Sequence, residues 1–155
     1  MLLLPRDVLA EMNALFTANN SHWDELADLT TLEQMLGTIK PTQREYLGCL
    51  QGTLEGDTLR IRGWGQARDL KQLQFAVDGS CEHIADVVGT WHTHPFRADP
   101  GGCALKERSL SALDLATFSR STDGVSVVVW DVDSLDVALR GADGRMTHPA
   151  HVALR

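Results

Sequence analysis

Apolar residues along this chain recur with two different periods, and the switches between them predict the order of its elements. Leu2, Leu3 and Leu4 form a short apolar run that reads as a strand, and Pro5 opens a helix. Val8, Leu9, Met12, Leu15 and Phe16 then follow at helical spacing and make one buried stripe. In 21–40, Trp23, Leu26, Leu29, Leu32, Met35 and Leu36 recur at a roughly helical spacing among Asp24, Glu25, Asp28 and Glu33. That segment predicts an amphipathic helix, or two short ones, packed on the core; an exposed Trp23 would make it a docking element instead. Residues 41–52 read as a strand or strand start whose glycines let another backbone come close. The 54–77 region is hairpin-like and includes the alternating Leu59-Arg60-Ile61-Arg62.

Residues 84–91 are apolar and rich in β-branched side chains, so they predict a strand. It should stop at Pro95, which has no N–H to give to a ladder. Over 110–118 the period returns to that of a helix, with Leu110, Leu113, Ala116 and Phe118 on one side. Strands are expected again at 125–130, where composition predicts burial, and at 134–139, where Leu135, Val137 and Leu139 alternate. Ala142-Asp143-Gly144-Arg145 is a hairpin signal, and 146–154 reads as a last strand placed at an edge by Pro149. No internal repeat or low-complexity tract interrupts this order.

Composition narrows the picture modestly. A chain of 155 residues, 43% hydrophobic and 23% charged, suits one soluble domain with a single core. No run approaches the length of a membrane span, and 2–5 is too short and uncharged for a signal peptide. A formal net charge of −7 with no basic stripe argues against nucleic acid. Cys49, Cys81 and Cys103 are an odd count with no paired spacing, which suggests a reducing cytoplasm and a Cys49 simply packed in its strand.

The chemistry concentrates in Gly89-Thr90-Trp91-His92-Thr93-His94-Pro95 and in Ser111-Ala112-Leu113-Asp114. Side chains two apart on a strand share a face, so His92 and His94 project together while Thr93 points away. Ser111 and Asp114, three apart, share the first turn of the predicted helix. Two imidazoles and one carboxylate match catalytic zinc, which keeps three protein ligands and leaves one position for water. Each piece also has a plainer reading. The histidines alone suit a half-buried polar pair, and Ser-x-x-Asp before an apolar run suits a capping box with Ser111 as N-cap. Glu45, just before an apolar run, reads either as a solvated edge residue or as a general base beside a metal-bound water. His148 and His151 have no third ligand nearby and read as surface residues; His22 and His83 are isolated.

Glu45-x-x-Gly48-x-Leu50-x-Gly52, then His92-x-His94-Pro95, then Ser111-x-x-Asp114 resembles the signature of the JAMM (JAB/MPN) zinc metalloprotease family, in the same order. The resemblance implies an α/β fold: a single JAB/MPN-like domain over 1–155, with a central mixed sheet flanked by helices. It implies one zinc ion held by His92, His94 and Asp114, with Glu45 moving the proton and Ser111 stabilising an oxyanion. Segments 21–40 and 96–108 are longer than the family pattern and read as insertions. The second carries the turn Asp99-Pro100-Gly101-Gly102, Asp99 as a rival third ligand, and Cys103, whose thiol could reach the metal and hold the site inactive. The implied activity is that of a metallo-isopeptidase acting at the C-terminal tail of a ubiquitin-like protein. A prokaryotic-type single-domain member of this kind is expected in the cytoplasm, working with conjugation-system enzymes, some of them in antiphage systems. Two alternatives share the motif: a zinc amidase for small molecules or short peptides, and a non-catalytic scaffold. The intact Glu45, His92, His94 and Asp114 speak against the scaffold.

Overall fold

Strand β1 (Leu2–Leu4) leads through Pro5 into helix α1 (Arg6–Asn19) in the computed structural model, which describes residues 1–20, 44–73, 76–98 and 104–155. The amphipathic segment expected over 21–40, with Trp23, lies outside the described residues, as do Asp99 and Cys103. A long hairpin follows, β2 (Leu47–Glu55) and β3 (Thr58–Gln66), and then a short one, β4 (Arg68–Gln72) and β5 (Val77–Ser80). After β6 (Val87–Thr93) comes a two-residue pairing of β7 (Arg97–Ala98) with β8 (Ala104–Leu105). Helix α2 (Ala112–Arg120), β9 (Val125–Asp131), β10 (Ser134–Arg140), β11 (Met146–Thr147) and β12 (Val152–Leu154) complete the order. The fold is mixed α/β, the class that the resemblance implied.

Eight strands make one mixed sheet in the order β11-β10-β9-β6-β2-β3-β1-β12. β1 runs parallel to both β3 and β12, and β6 runs parallel to β9. The strand expected over 146–154 is in fact two, β11 and β12, on opposite edges of this sheet. A flat sheet would hold those edges roughly 34 Å apart, whereas the chain from Thr147 to Val152 reaches roughly 17 Å at most. The sheet is therefore curled, and the link is bonded at both ends. Ala150 N–H donates to Val137 O at 2.8 Å, and Leu2 N–H donates to His151 O at 2.9 Å.

β9 shows why its sequence is apolar without alternation. Val125, Val127 and Val129 join Val8, Leu9, Met12 and Phe16 of α1 in the main core, with Trp91 and Val137. Val128 faces the other way, into a second cluster with Leu110, Phe118 and Ala138 under α2. A strand covered on both faces has no solvent side to mark with polar residues. Its parallel pairing with β6 depends on Gly89, where a Cβ would lie 1.9 Å from Val125 O. Gly48 is equally constrained: a Cβ there would sit 2.1 Å from the indole Nε1 of Trp91, which packs between Tyr46 and Trp64.

Two further expectations change. The strand read over 84–91 begins only at Val87, because Ile84 N–H closes a turn onto Cys81 O at 3.0 Å. Cys49 and Cys81 form a disulfide, so Cys49 is not merely packed, and the odd count no longer argues for a reducing cytoplasm. The cross-link spans 32 residues and ties the end of the β4–β5 hairpin to β2. A loop of that size corresponds to about 3–4 kcal/mol of unfolded-chain entropy removed. Sequence spacing could not show the pair, since the Cα atoms come to 5.7 Å only through the sheet. Among the described residues, no helix is long and apolar enough to cross a membrane.

Candidate metal centre

His92 is the penultimate residue of β6, and His94 follows the strand directly. Their backbones stay in the sheet: His92 pairs with Val128 of β9, and His94 N–H donates to Val129 O at 3.0 Å. Extended backbone through both residues turns the two rings to one face, as the spacing predicted. Thr93 takes the opposite face and is fully buried, and its hydroxyl accepts from Tyr46 N–H at 2.9 Å. Thr93 N–H donates back to Tyr46 O at 3.0 Å. These bonds extend the β2–β6 ladder past Leu47, opposite His92, and bring Glu45 alongside His94.

Asp114 comes from the first turn of α2. Ser111 is the N-cap: its hydroxyl accepts from Asp114 N–H at 3.1 Å, while Asp114 Oδ2 accepts from Ser111 N–H at 2.7 Å. The capping box therefore exists, and it also aims the ligand. With one carboxylate oxygen tied to the helix start, the group is held with both oxygens toward the histidines. The expected apolar stripe of this helix is partly wrong. Leu110 precedes the helix, and Leu113 is 67% exposed, at the rim of the site. Phe118 is the residue of α2 that is fully packed against the sheet.

Three donor groups converge. His92 Nε2 lies 3.1 Å from His94 Nε2 and 3.5 Å from Asp114 Oδ1, and His94 Nε2 lies 3.3 Å from Asp114 Oδ2. Ligands of a tetrahedral zinc ion at its usual bond lengths stand about 3.3–3.4 Å apart. Each of these distances is close to one edge of such a tetrahedron, with His92 and His94 facing different oxygens of the Asp114 carboxylate. The donor set also fits, being two neutral-capable imidazoles and a carboxylate.

Charge in the site points the same way. Burial opposes a charge on Asp114, but hydrogen bonds from His92 and His94 outweigh it and hold the carboxyl well below the usual range. Burial likewise opposes protonation of His94. The Asp114 hydrogen bond and the charges of Asp114, Glu45 and Glu107 outweigh that and raise its pKa above 6.5. The group of side chains therefore favours a cation among them.

One consequence concerns metal affinity. A proton on His94 competes with a metal ion, so affinity is full above the raised pKa and falls as pH drops through it, by about tenfold per pH unit for one proton. Titration calorimetry with zinc, from about pH 8 to about pH 5, is expected to show that fall together with proton release. A flat affinity across that range would exclude His94 as a ligand.

The donors stand in a cleft of about 450 Å³. Its wall includes all five residues singled out from the sequence: Glu45, His92, His94, Ser111 and Asp114. Glu45 is 5% exposed, so it is not the solvated edge residue of the plainer reading. Its backbone is gripped by the β4–β5 turn region, where its N–H donates to Leu73 O at 3.0 Å and its carbonyl accepts from Gln72 Nε2 at 3.0 Å. Glu107 also lines the cleft, and no motif marked it. His148, expected at the surface, is partly buried and bonds Asp136 Oδ2 at 2.6 Å, while His151 is exposed as expected. No protein-family model matches the chain, and a search of curated proteins finds no match either.

Proposed function

We propose that this protein is a zinc-dependent hydrolase of amide or isopeptide bonds, of the JAMM (JAB/MPN) type, acting at the tail of a ubiquitin-like protein. The observation that carries the reading is the spacing of His92, His94 and Asp114 at 3.1–3.5 Å on the wall of a cleft that also holds Glu45 and Ser111. A zinc ion held by those three side chains would act as a Lewis acid toward the scissile carbonyl and lower the pKa of a water to about 7.

The remaining roles follow from placement. Glu45, on the cleft wall beside His94, takes the proton of the attacking water as the C–O bond forms. It delivers that proton to the amine as the C–N bond breaks. Ser111 Oγ accepts from Asp114 N–H, and its own proton remains available to an oxyanion in the cleft. Capping and catalysis thus use different sides of one hydroxyl. Among the described residues, the cleft wall carries Glu45, Glu107, Asp114 and Asp123 and no lysine or arginine, which favours a neutral or basic peptide over an acidic one. The lysine amine released from an isopeptide gains its matching positive charge only once the C–N bond has broken and the amine is protonated.

Capture tests the substrate. Glu45→Gln protein, loaded with zinc, serves as bait in a lysate of the native cell, and bound proteins are identified by mass spectrometry. A small protein with a glycine-ended tail, or its conjugates, is the expected catch. Should none be recovered, and should short amides be turned over by the wild type, the site is a small-molecule amidase instead.

A further inference from the structure

Asp114 reaches the histidines from a helix of nine residues, and its immediate neighbours Ala112 and Leu113 are exposed. Packing at the start of α2 comes from Leu110 just before it, and a polar bond is added there. Leu110, just before the N-cap, donates its N–H to Asp136 Oδ2 at 2.9 Å. The same oxygen is bonded by the His148 ring at 2.6 Å. Asp136 is 12% exposed and His148 22%, so the pair is largely screened from water.

The sheet register shows what this bond does. His92 on β6 pairs with Val128 on β9, and Val128 pairs with Asp136 on β10. Directly paired residues present their side chains to the same face. His92, Val128 and Asp136 therefore form one row, about 10 Å long, across three adjacent strands. The start of α2 lies over this row and is fixed at both ends. Asp114 meets His92 at one end, Leu110 N–H meets Asp136 at the other, and Leu110 itself packs on Val128 between them.

We infer that Asp136, braced by His148, is a positioning residue for Asp114 and sets the affinity of the metal centre. It touches neither metal nor substrate. It acts through Leu110 and the Ser111 cap, which carry the position of a rigid sheet row to a ligand on a short helix. His148, which follows β11 at the edge of the curled sheet, keeps the carboxylate from turning away. The inference rests on the metal-centre reading above.

The test is the affinity of the purified protein for zinc, with cobalt as a spectroscopic probe. Asp136→Ala is expected to bind zinc roughly tenfold or more weakly, in the range typical of lost outer partners of a metal ligand. Its cobalt form should lose the intense visible bands of a four-coordinate site. Asp136→Asn keeps an oxygen to accept from Leu110 N–H and should restore most of the affinity. Val127→Ala, on the opposite face of β9, loses core packing but should keep the wild-type affinity, which separates positioning from general loss of stability. If Asp136→Ala does not fold, His148→Ala carries the test, with a several-fold weaker affinity expected. Unchanged affinity in the folded variants, while the wild type binds, overturns the inference alone. A wild type that binds neither zinc nor cobalt overturns the metal-centre reading and the inference with it.

Discussion

Asp114→Ala is expected to lose zinc and activity together. Four-ligand zinc sites draw on about 10–16 kcal/mol of binding free energy, so one ligand of the set is worth two orders of magnitude or more in affinity. The substitution also removes the carboxylate that accepts from Ser111 N–H, half of the capping box, at a cost of about 1 kcal/mol of helix stability. Asp114→Asn separates the two effects, because an amide oxygen can still accept from Ser111 N–H but ligates zinc poorly. Metal content by elemental analysis and a zinc competition titration would measure both variants. If Asp114→Ala retains wild-type affinity, the third ligand lies elsewhere, and Asp99, outside the described residues, is the next to test.

Glu45→Gln should do the opposite: retain the metal and lose turnover by roughly 10²–10⁴-fold, the usual contribution of a general acid–base group. The side chain is nearly isosteric, and Glu45 is located by its backbone bonds to Leu73 and Gln72, which the change leaves intact. His92, His94 and Asp114 stay where they are. A glutamine in this position cannot take a proton from water, so the loss should fall on kcat. Single-turnover kinetics of the zinc-loaded variant give the measurement. A zinc-replete Glu45→Gln enzyme of near-normal kcat would remove Glu45 from the chemistry and leave its burial to be explained by packing.

These two variants divide the site as its construction does. One carboxylate is tied to a helix cap and faces two imidazoles, whose hydrogen bonds keep it ionised. The other is tied to the strand region before β2 and acts on His94 through charge. Two acids of similar intrinsic strength therefore hold different positions toward the same centre, and the proposed function gives one the metal and the other the proton.

Much of this could be read locally. Period-two geometry placed His92 and His94 on one face and Thr93 on the other before any neighbour was known. Ser111 and Asp114, three apart, could only meet in a first helical turn, and they do. Of the α1 stripe, Val8, Leu9, Met12 and Phe16 are buried as their spacing required, while Leu15 is half-buried against the core. Local pattern failed where a residue's fate depends on what covers it. Leu113 continues an apolar spacing yet lies exposed, because α2 is turned to bring Asp114 to the histidines. His148 looked like a surface residue until the curl of the sheet carried it to Asp136. Cys49 and Cys81, 32 residues apart, meet only through the sheet and the hairpin beside it.

The sequence by itself determined most of the described elements, the identity of the donor groups and the face each presents, because these follow from backbone periodicity over a few residues. Tertiary structure alone decided that the donors meet. The parallel register of β6 with β9 sets the end of one strand against the helix that precedes the other. Periodicity fixes a side chain's direction, but only the order of strands in the sheet determines what stands there to receive it.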